Sequence, residues 1–101
     1  MLKTLEKLVQ IIRLRKNGDL GKSYTSQLLS SKNLSQKKVE EEFKELLEAV
    51  QSNKNQIYEA ADLIYHLLVF LECNNIQIED VMSELKIRQK KSGLEEKANR
   101  E

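Results

Sequence analysis

Proline and tryptophan are absent from this sequence, glycine occurs three times and cysteine once. Without proline, and with so little glycine, few positions interrupt a helix. The lone Cys73 excludes an intrachain disulfide and fits a reducing compartment, where it reads as a small buried apolar residue. No apolar run approaches the ~20 residues that a membrane-spanning helix needs. Neither sign of charge dominates: 17 Lys and Arg stand against 16 Asp and Glu. A strongly basic nucleic-acid binder is therefore not expected. There is no Cys/His cluster for zinc and no glycine-rich phosphate loop. Strand-period segments, internal repeats and low-complexity linkers are also missing.

What remains is helical periodicity. The 101 residues, 33% charged and 40% hydrophobic, suit one soluble all-α domain over 1–101. The opening stretch, MLKTLEKLVQIIRLRK, is amphipathic and contains Glu6. It reads as a folded helix of a cytoplasmic protein rather than a signal peptide, running from Leu2 to Lys16 with Leu5, Leu8, Val9 and Ile12 inward. Ser23 can cap a short helix through Ser30, and Ser31 to Leu34 looks turn-like. Ser35 is the expected cap of a long helix to about Ser52, with Val39, Phe43, Leu46, Leu47 and Val50 as its apolar stripe. Asn53-Lys54-Asn55 breaks the chain before a helix from Gln56 to Cys73. A last helix is expected from Glu79 to Gln89, followed by a mostly polar, loose tail from about residue 90.

The helix IYEAADLIYHLLVFLEC is apolar on nearly every side, and such a helix is normally buried. Yet Glu59, Asp62 and His66 cluster on it at spacings of three and four. Buried carboxylates are costly unless paired or bound to a cation. The preceding helix carries Glu42 and Glu45 one turn apart. A short turn makes the two helices an antiparallel hairpin, which could bring all four carboxylates to one point. At ~4 Å, each like-charge pair costs on the order of 4 kcal/mol at an effective dielectric of about 20. A divalent cation removes that penalty, and Mg²⁺ prefers such hard oxygen ligands. Glu40, Glu41 and Glu48 also fit a plain solvated face. His66 fits a hydrogen-bonded core histidine better than a base, and Tyr58 and Tyr65 fit packing groups.

Taken together, KKVEEEFKELLEAV and YEAADLIYHLLVFL resemble the all-α nucleoside-triphosphate pyrophosphatases, whose motif is EExxE followed by ExxD. Here it reads Glu41-Glu42-Phe43-Lys44-Glu45, then Glu59-Ala60-Ala61-Asp62. Within that superfamily the chain is most similar to the phosphoribosyl-ATP pyrophosphohydrolase family, through Ser23-Tyr24-Thr25, the EAADLIYHLLVFL helix and the tail SGLEEKANR. The likeness covers about 23–100. It departs at Glu40, where the family usually has glycine, at SSKNLSQ, and at Lys91, where arginine is common.

The resemblance implies a bundle of four to five helices completed by homodimerisation. It also implies Mg²⁺-dependent hydrolysis of phosphoribosyl-ATP to phosphoribosyl-AMP and pyrophosphate, the second step of histidine biosynthesis. On that reading Glu42, Glu45, Glu59 and Asp62 are the metal ligands. Glu41, or a ligand carboxylate such as Glu42, takes a proton from the attacking water. Lys38, and more weakly Arg88, Lys91, Lys97 and Arg100, reach the substrate. No nucleic-acid or membrane partner is expected. Two alternatives stay open: a housecleaning pyrophosphatase acting on a nucleotide such as dUTP, and a non-enzymatic helical interaction module.

Overall fold

The computed structural model describes residues 2–17 and 23–90. Five helices follow one another: α1 Leu2–Lys16, α2 Tyr24–Leu29, α3 Lys32–Ser52, α4 Gln56–Cys73 and α5 Ile78–Arg88. No strand occurs among the described residues. None of their helices is long and apolar enough to cross a membrane. The tail beyond residue 90 lies outside the described residues.

Serines start the middle helices. Ser23 Oγ accepts the Ser26 N–H at 3.0 Å and opens α2 as expected. The start of α3 differs from the expectation. Ser31, not Ser35, is the cap: its side chain accepts the Leu34 N–H at 3.2 Å. The stretch read as a turn is the first turn of α3. Both serines match a cap pattern, but Lys32 and Asn33 contain nothing that stops a helix, so the earlier cap prevails. Ser35 then falls inside the helix, 2% exposed.

Asparagines end the long helices, because they tolerate left-handed backbone. Asn53 (φ 57°) closes α3, and the Lys54 N–H reaches back to the Ala49 carbonyl at 3.1 Å. Asn55 (φ 59°) starts α4, with its carbonyl accepting the Glu59 N–H at 2.9 Å. Two left-handed residues within three positions reverse the chain and fold α3 back on α4. After α4, Asn75 (φ 60°) lets the Ile76 N–H bond the Leu71 carbonyl at 2.9 Å.

The core is small. Ile12 of α1, Leu28 of α2, and Leu68 and Val69 of α4 are buried, with Leu5, Leu8, Val9, Leu29, Tyr65 and Ile78 packed around them. Burying each large aliphatic side chain contributes about 1.5–3 kcal/mol. Cys73 is buried beside them, its thiol directed at the Leu28 and Leu29 carbonyls.

Around α4, polar contacts finish the packing. Arg13 of α1 forks across Glu79 at 2.7 and 2.8 Å and also reaches Glu72 at 3.3 Å. Lys16 donates to the Glu72 carbonyl and to Asn75 Oδ1, each at 2.9 Å. Of the expected stripe of α3, Val39 and Leu46 are half-buried, whereas Phe43, Leu47 and Val50 are exposed in the single chain. On α4, Ile57, Ile64 and Leu67 are exposed as well. The two helices carry more apolar surface than the other three can cover.

Candidate metal centre

The hairpin sets the acids of α3 against those of α4. Carboxylate oxygens of Glu42, Glu45 and Glu59 all lie within 4.8 Å of one another. Ligand atoms of Glu42, Asp62 and His66 do the same. Glu42 belongs to both groups and stands at the centre. It is also the most enclosed of the carboxylates, only 8% exposed, while Glu59 and Asp62 are half-buried and Glu45 is exposed.

This arrangement leaves two atoms without partners. Glu42 Oε2 and Glu59 Oε2 are buried and bond to nothing in the protein. Most buried polar atoms in folded proteins are hydrogen-bonded, so the pair calls for a physical reason. None of the ion pairs among the described residues involves Glu42, Glu45, Glu59 or Asp62. Burial first, then the adjoining Glu45 carboxyl and the charges of Asp62 and Glu59, push the Glu42 carboxyl up to about 7. Burial and Glu45 also raise the Glu59 carboxyl, with Asp62 adding to the effect. The Glu42 carboxyl therefore keeps its proton to a higher pH than an ordinary carboxylate, and Glu59 shifts in the same direction. A positive charge at the same place would displace such protons. The four carboxylates offer hard oxygens, which suit a hard divalent cation.

His66 is a hydrogen-bonded buried histidine, as expected, 5% exposed and one turn after Asp62 on α4. Its Nδ1 contacts the Asp62 carbonyl at 2.9 Å and its Nε2 contacts the Tyr24 hydroxyl at 3.2 Å. Tyr24 is a site neighbour that its sequence position does not announce. Burial raises its phenol, Lys38 opposes that rise, and Glu42 and Glu41 reinforce it.

The other expected site residues fall in three places. Glu41 is exposed and accepts from Lys38 at 3.2 Å, one position outside the cluster. That bond is the main cause of the raised Lys38 ammonium. Arg88 lies on exposed α5, bonded to Glu84 at 3.3 Å, and does not join the cluster. Lys91, Lys97 and Arg100 lie outside the described residues. Glu40 and Glu48 are exposed, and Glu40 accepts from Gln36 at 3.2 Å, as a solvated face would have it.

The family model for phosphoribosyl-ATP pyrophosphohydrolase matches residues 5–89. It thus begins within α1, ahead of the stretch that carries the resemblance in sequence. A phosphoribosyl-ATP pyrophosphatase of Allorhizobium ampelinum is 42% identical over 100 residues, covering 96% of this chain and 96% of that protein. One from Roseobacter denitrificans is 40% identical over 100 residues, covering 96% and 95%. One from Nitrosomonas eutropha is 41% identical over 99 residues, covering 95% and 85%. No solved structure matches the chain significantly.

Proposed function

The chain belongs to the phosphoribosyl-ATP pyrophosphohydrolase family, and from that premise we propose that Glu42, Glu45, Glu59 and Asp62 hold Mg²⁺ for its reaction. It is a hydrolase acting on a phosphoric anhydride. Phosphoribosyl-ATP is cleaved between its α and β phosphates to phosphoribosyl-AMP and pyrophosphate, a step of histidine biosynthesis. The single observation that carries the site assignment is the pair of buried, unpartnered oxygens on Glu42 and Glu59.

When bound, Mg²⁺ supplies the positive charge that offsets charge developing on the phosphoryl oxygens. The chain's own groups do the rest. The four carboxylates fix that charge on the rigid α3–α4 hairpin rather than on a loop. Between the two carboxylates expected to receive the water's proton, Glu42 is favoured by position. It lies inside the cluster, whereas Glu41 is engaged by Lys38. Lys38, on the exposed lip, is set to exchange Glu41 for a phosphate oxygen. The placement of Arg88 lends it no support as a substrate ligand.

We also infer a homodimer built on the hairpin. Phe43, Leu47 and Val50 recur on α3, and Ile57, Ile64 and Leu67 on α4, as exposed apolar positions spaced by helical turns. Ile57 is 87% exposed, which is unusual within such a patch unless a partner covers it. Sedimentation equilibrium should give twice the 11.8 kDa chain mass. A monomer at micromolar concentration would remove this part of the reading. We place the reaction in the cytoplasm, where the thiol of Cys73 stays reduced.

The functional test is pyrophosphate release from phosphoribosyl-ATP, with and without Mg²⁺, beside ATP and dUTP. Mg²⁺-dependent release from phosphoribosyl-ATP is expected. Release from dUTP alone would move the protein to nucleotide housecleaning, and release from none would leave a helical interaction module.

A further inference from the structure

Four side chains that this mechanism leaves aside meet beside the carboxylates. A carbonyl can only accept a hydrogen bond, so His66 Nδ1 carries the proton that goes to the Asp62 carbonyl. In the neutral ring Nε2 is then an acceptor, and the Tyr24 hydroxyl donates to it at 3.2 Å. The Tyr24 and His66 rings meet edge to face, with centroids 6.0 Å apart. Tyr65 contacts His66 from another side, with centroids 4.9 Å apart, and its hydroxyl is bonded to Thr25. Neighbouring residues of α2, Tyr24 and Thr25, therefore engage neighbouring residues of α4, His66 and Tyr65.

The exposure of Tyr24 is what makes this more than core packing. The ring is 48% exposed, and water could satisfy its hydroxyl. Instead the hydroxyl is tied to an imidazole that is 5% exposed and has both nitrogens engaged. A buried polar anchor holding a half-exposed aromatic ring suits a recognition surface, where the ring must keep one orientation while offering apolar area. Its hydroxyl bonds the histidine that stands with Glu42 and Asp62, and the charges of Lys38, Glu42 and Glu41 reach its phenol, so the ring borders the acidic cluster, where the phosphates would lie. The part of phosphoribosyl-ATP that follows the phosphates outward is a nucleoside, which offers flat and apolar surface to such a ring.

We propose that Tyr24 contacts the nucleoside part of the substrate beside the acidic cluster, and that His66 is the positioning residue that holds it there through the Tyr24 hydroxyl. This inference rests on the pyrophosphohydrolase reading above.

Steady-state pyrophosphate release from phosphoribosyl-ATP in Mg²⁺ tests it, using wild type, Tyr24→Leu, Tyr24→Phe, His66→Leu, His66→Gln and the Tyr24→Phe/His66→Leu double variant. Tyr24→Leu should raise KM roughly tenfold or more, in line with base–aromatic stacking, and leave kcat within about threefold. Tyr24→Phe keeps the ring but not the tether, and should raise KM by a smaller factor. His66→Leu should match it, and the double variant should be no worse than either single one, because all three lose one shared bond. His66→Gln, whose amide can accept from the Tyr24 hydroxyl, should recover most of the loss. An unchanged KM in Tyr24→Leu and Tyr24→Phe, or additive losses in the double variant, would overturn the inference while the activity of wild type left the family chemistry standing. Wild type that releases no pyrophosphate would overturn both.

Discussion

Glu59 and Glu72 sit toward opposite ends of α4 and have opposite surroundings. Glu72 is met by Arg13 at 3.3 Å and Lys16 at 3.6 Å, and the same lysine bonds its backbone carbonyl. Glu59 faces Glu45 and Asp62, and one of its oxygens has no protein partner. A carboxylate that serves the fold brings its cations with it from another helix. A carboxylate without them, enclosed among others of its kind, raises the energy of the protein until a cation arrives. One helix thus has an electrostatically closed end, which holds α1 and α5, and an open end shared with α3, which the fold alone does not require.

The sharpest way to break this contrast is to neutralise the open end. Asp62→Asn and Glu45→Gln should each lower kcat by about 10²–10³-fold or more, the scale on which losing a charge-stabilising group acts. Neither should lower the melting temperature of the metal-free protein, since each removes repulsion. Near-normal turnover in both would sink the four-carboxylate assignment. At the closed end the pattern should reverse. Arg13→Ala should lower Tm by roughly 5–10 °C and leave kcat/KM, measured well below that Tm, within about twofold of wild type. A large loss of turnover without loss of stability would show that the closed end is not merely structural.

The two ends should also titrate in opposite directions. The Glu42 carboxyl is raised from 4.5 to about 7 in the fold, so the native state holds the extra proton between those values. Its contribution to metal-free stability is therefore greatest at low pH and declines as pH rises through about 7. Glu79 is lowered from 4.5 to about 2 by Arg13. Its contribution is present above about 4.5 and is lost as pH falls through about 2. Thermal melts from about pH 3 to about pH 8 in chelator should show both declines, with Mg²⁺ removing only the one at higher pH. A flat profile above about pH 5 in chelator would contradict the strained cluster. The smallest expected effect comes from the solvated face: Glu40→Ala should shift stability by no more than about 0.5 kcal/mol and leave kcat within about twofold.

Much of this was legible in the sequence, for physical reasons that can be named. The limits of α1 and α4 follow from periodicity and from the asparagines that end the neighbouring runs. The four carboxylates could be singled out because two of them interrupt a helix with little other polar surface. The start of α3 could not be fixed by local signals, since Ser31 and Ser35 stand one turn apart and both resemble caps. An apolar stripe such as Phe43, Leu47 and Val50 does not say whether its cover belongs to the same chain, and in the single chain these three are exposed. The Tyr24–His66 bond joins residues 42 positions apart. No spacing rule reaches that far, and it appears only once α2 lies across α4. Likewise the role of Arg13 at Glu72 and Glu79 depends on three helices meeting.

The most direct test sets the two glutamates of α4 side by side, as Glu59→Gln and Glu72→Gln, each assayed for Mg²⁺-dependent pyrophosphate release and for thermal stability. Glu59→Gln is expected to be folded, at least as stable as wild type without metal, and nearly inactive. Glu72→Gln is expected to melt at a lower temperature and, below it, to turn over normally. If Glu59→Gln keeps its turnover, or if Glu72→Gln loses turnover while remaining as stable as wild type, the division between an open and a closed end of α4 is wrong.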